Sequence, residues 1–275
     1  MSKLPKRDIP PQKGARKRQI FSQVRRHKGL AAVYLILRSL VLLTMVMQLI
    51  HGNYYNAFTC VLTLVLMLIP SFFERQIRVD VPDTLEIIIL LFIFSAEILG
   101  EIQEYYVIIP HWDTTLHTIN GFIMAGIGFS MVDLLNRNKR FSIQMSPVFV
   151  ALVAFCFSMT IGVLWEFFEY GADLLLHTDM QKDTWVQAIS SVSLHPEGRN
   201  IPVSIAIDSV VINGETWPAY LDIGLHDTMK DLLVNFLGAV VYSIIGFAYL
   251  KGRSSGRFAR RFIVTVRNDE DDDET

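Results

Sequence analysis

The sequence predicts an all-α fold: a polytopic membrane helix bundle of six transmembrane helices with a small external β-hairpin loop. Three observations predict it. Six stretches have the roughly 20 mostly apolar residues needed to cross a hydrocarbon core about 30 Å thick. Lys and Arg alternate between the connections that join these stretches. One long connection carries an Asn-Gly pair between two apolar-rich runs. The chain has 275 residues, of which 51% are hydrophobic, a length that would suit one or two soluble domains. The gathering of the apolar residues into long runs argues against that class.

The predicted spans are 32–51, 54–73, 84–104, 112–135, 147–171 and 228–250. The first follows a long basic segment, and its apolar run from Ala31 to Ile50 is too long for the core of a cleavable signal. It is read as a retained helix. The domain organisation expected is a basic cytoplasmic segment over 1–29, a transmembrane domain over 30–250 that includes an external loop at 178–226, and a cytoplasmic tail over 251–275. Cys60 and Cys156 each fall inside a predicted span, where Cys behaves as a small hydrophobe. They form no metal-binding or disulfide pattern.

Charge sets the expected orientation. Basic residues crowd the segment before the first span and the segment after the last. Arg75 and Arg78 mark the second connection, and Arg137, Lys139 and Arg140 the fourth. The first and third connections have no Lys or Arg, and the long fifth has only Lys182 and Arg199. Cytoplasmic loops carry the excess of positive charge, so both termini are expected in the cytoplasm. Arg38, near the inner end of the first span, is expected to snorkel to the interface. The acidic block after Asn268 reads as a solvated tail. Membrane lipids are the expected partners. Nothing suggests nucleic-acid binding, and no protein partner is specified.

In the external loop, Ser204 to Ile212 and Glu215 to Ile223 flank Asn213-Gly214, a strong hairpin signal. Pro218 restricts the second run to an edge strand.

Ionisable residues inside membrane spans are costly and are functional candidates by default. The topology gathers them at one depth, near the outer face. Glu97, Glu101 and Glu104 follow i, i+4, i+7 spacing on the third span, which is one face of an α-helix. Asp113, His117 and Asn120 do the same on the fourth. Gly162, Glu166, Glu169 and Asp173, continued by His177, form a stripe on the fifth, and Asp227, Asp231 and Asn235 one on the sixth. So many acids with so few cations cannot all sit dry and ionised. Water fills a cavity there, a cation binds, or some carboxylates are protonated. Asp113, His117, Glu166, Glu169 and Asp231 are the expected metal ligands, and their mixed oxygen and nitrogen donors suit a divalent Zn, Mn or Fe ion. A bound metal could activate water for hydrolysis of a lipid-linked phosphate or amide, with Glu166 and Asp113 as catalytic groups. Glu97, Glu101, Asn120, Asp173, Asp227 and Asn235 are the expected substrate-binding residues. Glu86, nearer the inner end, reads as solvated. Trp112, Trp165, Tyr105, Tyr106 and Tyr170 read as an interfacial aromatic belt. Gly121, Ala125, Gly128, Gly238 and Ala239 read as points of close helix approach, and Asn120 and Asn235 also as interhelical glue.

The run His111-Trp-Asp-Thr-Thr-Leu-His-Thr-Ile-Asn-Gly-Phe122, the run Trp165-Glu-Phe-Phe-Glu-Tyr170 and the run from Asp227 to Ala239 resemble the YjdF-type family of bacterial inner-membrane proteins. More remotely, the order of motifs is similar to that of VanZ-like proteins, which are associated with the cell envelope and glycopeptide resistance. That resemblance implies matching roles for Asp113 and His117, for Glu166 or Glu169 with Gln181, and for Asp231, Asn235, Gly238 and Ala239. It adds Gln181 to the substrate-binding set. The chain departs from the pattern in its long loop after Gln181 and in the extra acids Glu97, Glu101 and Asp173. Three functions follow as expectations: binding or acting on an envelope component such as a lipid headgroup or cation, metal-dependent hydrolysis in the membrane, and cation- or proton-coupled transport.

Overall fold

The structure, a computed structural model, describes residues 28–72, 79–137, 145–252 and 265–266. Most of the described residues are helical, and the strands form short antiparallel pairs. The chain divides into two compact units, Met1–Ile108 with Gly256–Thr275, and Ile109–Ser255.

The first unit contains α1 (Lys28–Ile50), α2 (Tyr54–Leu66) and α3 (Asp83–Phe94). Asn53 caps α2, its side chain accepting a hydrogen bond from the Asn56 amide, which satisfies one of the open donors at a helix start. Leu37, Val41, Cys60, Met67, Leu90, Ile98 and Ile102 form a buried apolar cluster in this unit. One expectation changes here. Glu86 is buried rather than solvated, and the Tyr34 hydroxyl donates to its Oε1 at 2.8 Å. Arg38 reaches the Met67 carbonyl at 3.5 Å and lies over the Tyr34 ring. A short pair of strands, β1 (Val79–Asp80) and β8 (Thr265–Val266), also belongs to this unit.

The third predicted span does not form one α-helix. α3 passes into a π-helix over Ser95–Ile102, and Glu104 leaves the helix at φ 58°. A π-helix closes i→i+5 hydrogen bonds, so its side chains turn differently from those of an α-helix. Glu97, Glu101 and Glu104 therefore do not share the single α-helical face that their spacing suggested. Among the described residues, five helices are long and apolar enough to cross a membrane: Lys28–Ile50, Tyr54–Phe72, Trp112–Asn136, Pro147–Leu175 and Leu225–Leu250.

The second unit is built on α4 (Trp112–Arg137), α5 (Pro147–Leu176) and α6 (Leu225–Leu250), each touching the other two. Ser146 caps α5 and Pro147 opens it, with the Ser146 hydroxyl accepting from the Phe149 amide. His177 ends it in the left-handed conformation. α4 and α6 run parallel, and small residues let their backbones meet. A Cβ on Gly121 would strike the Asn235 carbonyl, and one on Gly238 would strike the Thr118 carbonyl. Gly128 accommodates Phe157 of α5, and Gly246 accommodates Phe129. The Ser158 hydroxyl of α5 donates to the Gly121 carbonyl at 2.8 Å. Membrane helices associate through this kind of close packing because lipid offers no hydrophobic drive between them.

Between α5 and α6 the loop folds on itself. β2 (Thr184–Val186) pairs with β7 (Tyr220–Asp222), β3 (Ala188–Ser191) with β4 (Val203–Ala206), and β5 (Val210–Ile212) with β6 (Glu215–Trp217), all antiparallel. The β5–β6 connection is Asn213-Gly214, both at positive φ, the geometry of a tight hairpin turn. The two long expected runs are divided. β4 pairs back to β3, and β7 pairs with β2 at the loop's base. β6 stops at Trp217, directly before Pro218, which has no amide to donate. Trp185 and Trp217 stack with ring centroids 5.9 Å apart. The stretches 1–27, 73–78, 138–144, 253–264 and 267–275 lie outside the described residues, and with them most of the basic residues that set the orientation.

Two glycine substitutions test the packing. Gly238→Ala forces a methyl into the Thr118 carbonyl and is expected to destabilise by about 1–3 kcal/mol, as overpacking does. Gly171→Ala, where nothing lies within 4 Å of the added carbon, is expected to be neutral or to stabilise by about 0.5–1 kcal/mol through helix propensity. Thermal unfolding of both variants in detergent measures the contrast.

Candidate carboxylate–histidine site

At one end of the second unit, α4 and α6 begin and α5 finishes, so three polar helix ends meet. Asp113 and His117 come from the first two turns of α4, Glu166 and Glu169 from the late turns of α5, and Asp227, Lys230 and Asp231 from the start of α6. His117 is central. Its Nε2 lies 3.3 Å from Asp113 Oδ1, and its Nδ1 lies 3.7 Å from Glu166 Oε1. Asp113, His117 and Asp231 can each offer one ligand atom within 4.8 Å of the others, and so can His117, Glu166 and Glu169. The five expected metal ligands therefore form two triads that share one imidazole.

All of these groups but the partly buried Asp113 are buried. Glu166 is 3% exposed and Asp231 is 1% exposed. Neither oxygen of Glu166, neither oxygen of Asp231, nor Asp113 Oδ2 has a donor in hydrogen-bonding geometry among the described residues. A buried carboxylate oxygen without a hydrogen-bond donor gives up its hydration and keeps only the longer-range attraction of nearby charge, here from His117 and Lys230. Glu169 is better supplied, since the Trp165 indole N–H donates to its Oε1 at 2.8 Å. Lys230 Nζ lies 3.3 Å from Asp227 Oδ1, 3.6 Å from Asp113 Oδ2 and 3.8 Å from Asp231 Oδ1.

The remaining expected residues divide into distinct local roles. Asn120 Nδ2 donates to Asn235 Oδ1 at 3.2 Å, one turn deeper than the acids, and Gly162 leaves room for the Asn235 amide. This pair ties α4 to α6 beneath the site. Asp173 accepts from the Thr178 hydroxyl and from the Met180 and Gln181 amides, all at 2.7–2.8 Å. Its carboxylate thus organises the chain as it leaves α5. Gln181 Nε2 donates to the Thr228 hydroxyl at 2.6 Å, and the Lys182 amide donates to Asp227 Oδ2 at 2.7 Å. Both contacts fasten the base of the loop to the first turn of α6. Gly224, at φ 152°, lets the Gln181 side chain pass where a Cβ would collide with it. Outside the helices, partial burial and then the neighbouring Asp179 hold Asp183 above the usual carboxylate range. Glu97 and Glu101 belong to the other unit, on its π-helix.

The sequence assigned no role to Lys230, Ser158 or Thr228, and Trp165 read only as part of an interfacial aromatic belt. Lys230 was legible in part, since it stands three residues after Asp227 and next to Asp231, on the same face as the first. The Trp165–Glu169 contact is likewise an i, i+4 pair. The Ser158 and Thr228 contacts join residues far apart in the chain, and no local spacing signals them.

Removing the Asp173 carboxylate with Asp173→Ala strands two backbone amides and one hydroxyl. The expected result is faster limited proteolysis between Thr178 and Asp183, with the helical circular dichroism of the three-helix unit retained.

A family model for predicted membrane proteins, DUF2238, matches residues 32–252. An uncharacterized protein of Thermotoga maritima is 24% identical over 107 residues, which cover 39% of this chain and 53% of that protein. The chain thus spans about half the length of that curated relative. No solved structure matches. The matched region runs from the first apolar helix to just past the last and takes in every residue of the cluster around His117, and on that extent the chain belongs to the predicted membrane protein family DUF2238.

Proposed function

We propose that this chain is a multi-pass protein of the bacterial cytoplasmic membrane, with both termini in the cytoplasm, that binds a divalent cation in an outward-facing carboxylate–histidine pocket. Through that pocket it binds or acts on a cell-envelope component. The observation that carries the reading is the set of five buried carboxylate oxygens, on Asp113, Glu166 and Asp231, that lack a hydrogen-bond donor around one histidine. A cation is the simplest ligand that satisfies several such oxygens at once. Mixed carboxylate and imidazole donors favour Zn, Mn or Fe over Ca or Mg. The alternation of basic connections supports the orientation, and the motif order shared with VanZ-like proteins supports an envelope role.

A second reading, a metal-dependent membrane hydrolase, is favoured by Glu166. Its carboxylate stands beside the Asp113–His117–Asp231 triad without belonging to it, and both its oxygens lack donors. A metal held by that triad would supply a polarised water, and Glu166 would be the base that takes a proton from it.

Elemental analysis of purified protein, prepared with Zn, Mn or Fe supplements, tests the binding reading. Stoichiometric metal is expected in the wild type, with occupancy lowered at least roughly tenfold in Asp113→Asn and His117→Ala, as for lost ligands. Metal-free protein in every preparation would sink it. Glu166→Gln separates the two readings, because a base-deficient hydrolase keeps metal in the Asp113–His117–Asp231 triad and loses turnover. For orientation, a reporter active only outside the cytoplasm is expected to be active when inserted at Asn213-Gly214 and silent when fused to either end.

A further inference from the structure

We infer that Lys230 is a tethered competitor for the cation pocket, its ammonium lying against the carboxylates when no divalent ion is bound and being displaced when one enters. This inference rests on the cation-binding reading above and adds what regulates it. The Lys230 ammonium lies within 4 Å of three carboxylates, yet only the Asp227 contact is close enough to be a hydrogen bond. Asp113 Oδ2 and Asp231 Oδ1, the other two, remain without a donor. Lys230 therefore supplies charge to the site without saturating it.

Its position suits exchange. The Lys230 side chain is 45% exposed, against 17% for Asp113 and 1% for Asp231. Lys230 is thus less covered by protein than the acids it faces, and its ammonium is carried on a flexible stem. A divalent ion held by Asp113, His117 and Asp231 would lie within a few ångströms of that ammonium, and like charges at that range repel strongly at low dielectric. Asp227 stays in place either way, because its second oxygen is held by the Lys182 amide. Binding would thus trade one protein cation for one solvent cation, and the freed ammonium would face outward.

The test uses the full chain in detergent and Mn²⁺ as the probe. Isothermal titration compares the wild type with Lys230→Met and Lys230→Arg. The expected result is Mn²⁺ binding about tenfold tighter in Lys230→Met, where the repelling charge is gone, and close to wild type in Lys230→Arg, which keeps it. Wild-type binding with equal or weaker affinity in Lys230→Met overturns the competitor and leaves the cation site standing. No Mn²⁺ binding by any of the three overturns the site itself. A second measurement needs no variant: acylation of Lys230 by a water-soluble amine reagent, followed by peptide mass spectrometry, is expected to speed up when Mn²⁺ is added. An unchanged rate with Mn²⁺ bound overturns the inference.

Discussion

The contact between α4 and α6 governs the rest of the second unit. Gly121 and Gly238 bring one helix's backbone against the other's carbonyls, and the Asn120–Asn235 hydrogen bond fixes their register one turn away. Ser158 and Gly162 then let α5 close on the same level. With three helices pinned there, their ends must converge a turn or two further along. The acids that meet around His117 have no freedom to spread apart.

The distribution of side chains is inverted relative to a water-soluble protein. Leu35, Ile50, Phe167 and Leu175 are largely exposed, while Glu166, Glu169, Asp231 and Asn235 are buried. Exposed apolar surface on this scale is untenable in water and normal in lipid. The same solvent makes the buried acids expensive, since the alternative to a partner is hydrocarbon. Asn235 meets that demand with amide and carbonyl contacts. Glu166 does not. That difference separates the polar groups that hold the bundle together from those on which the proposed cation site rests.

Much of the α-helical unit could be read from spacing. Asp113 and His117, Glu166 and Glu169, and Asp227 and Asp231 each lie one turn apart on helices whose apolar runs are unmistakable, so their meeting followed from topology. Asp173 shared the same stripe, yet its carboxylate turns to the loop, because the helix ends three residues later and leaves amides within reach. The π-helix was not legible. Its insertion is a backbone choice in a run whose residues favour an α-helix equally, and the chain then leaves Glu104 outside the helix and off the expected face. The strand pairs β2–β7 and β3–β4 were missed for another reason. Their partners are separated by long stretches of chain, and the local alternation names a strand without naming what it pairs with.

The stacked indoles of the loop between α5 and α6 give it an optical identity. Trp185 lies on the β2–β7 pair and Trp217 on the β5–β6 pair, with rings 23° from parallel. Two such chromophores at this separation couple their excited states, and the resulting ultraviolet couplet exists only while both strand pairs hold their places. The helical indoles Trp112 and Trp165 absorb in the same region, but the couplet itself belongs to the stacked pair in the loop and reports on its fold.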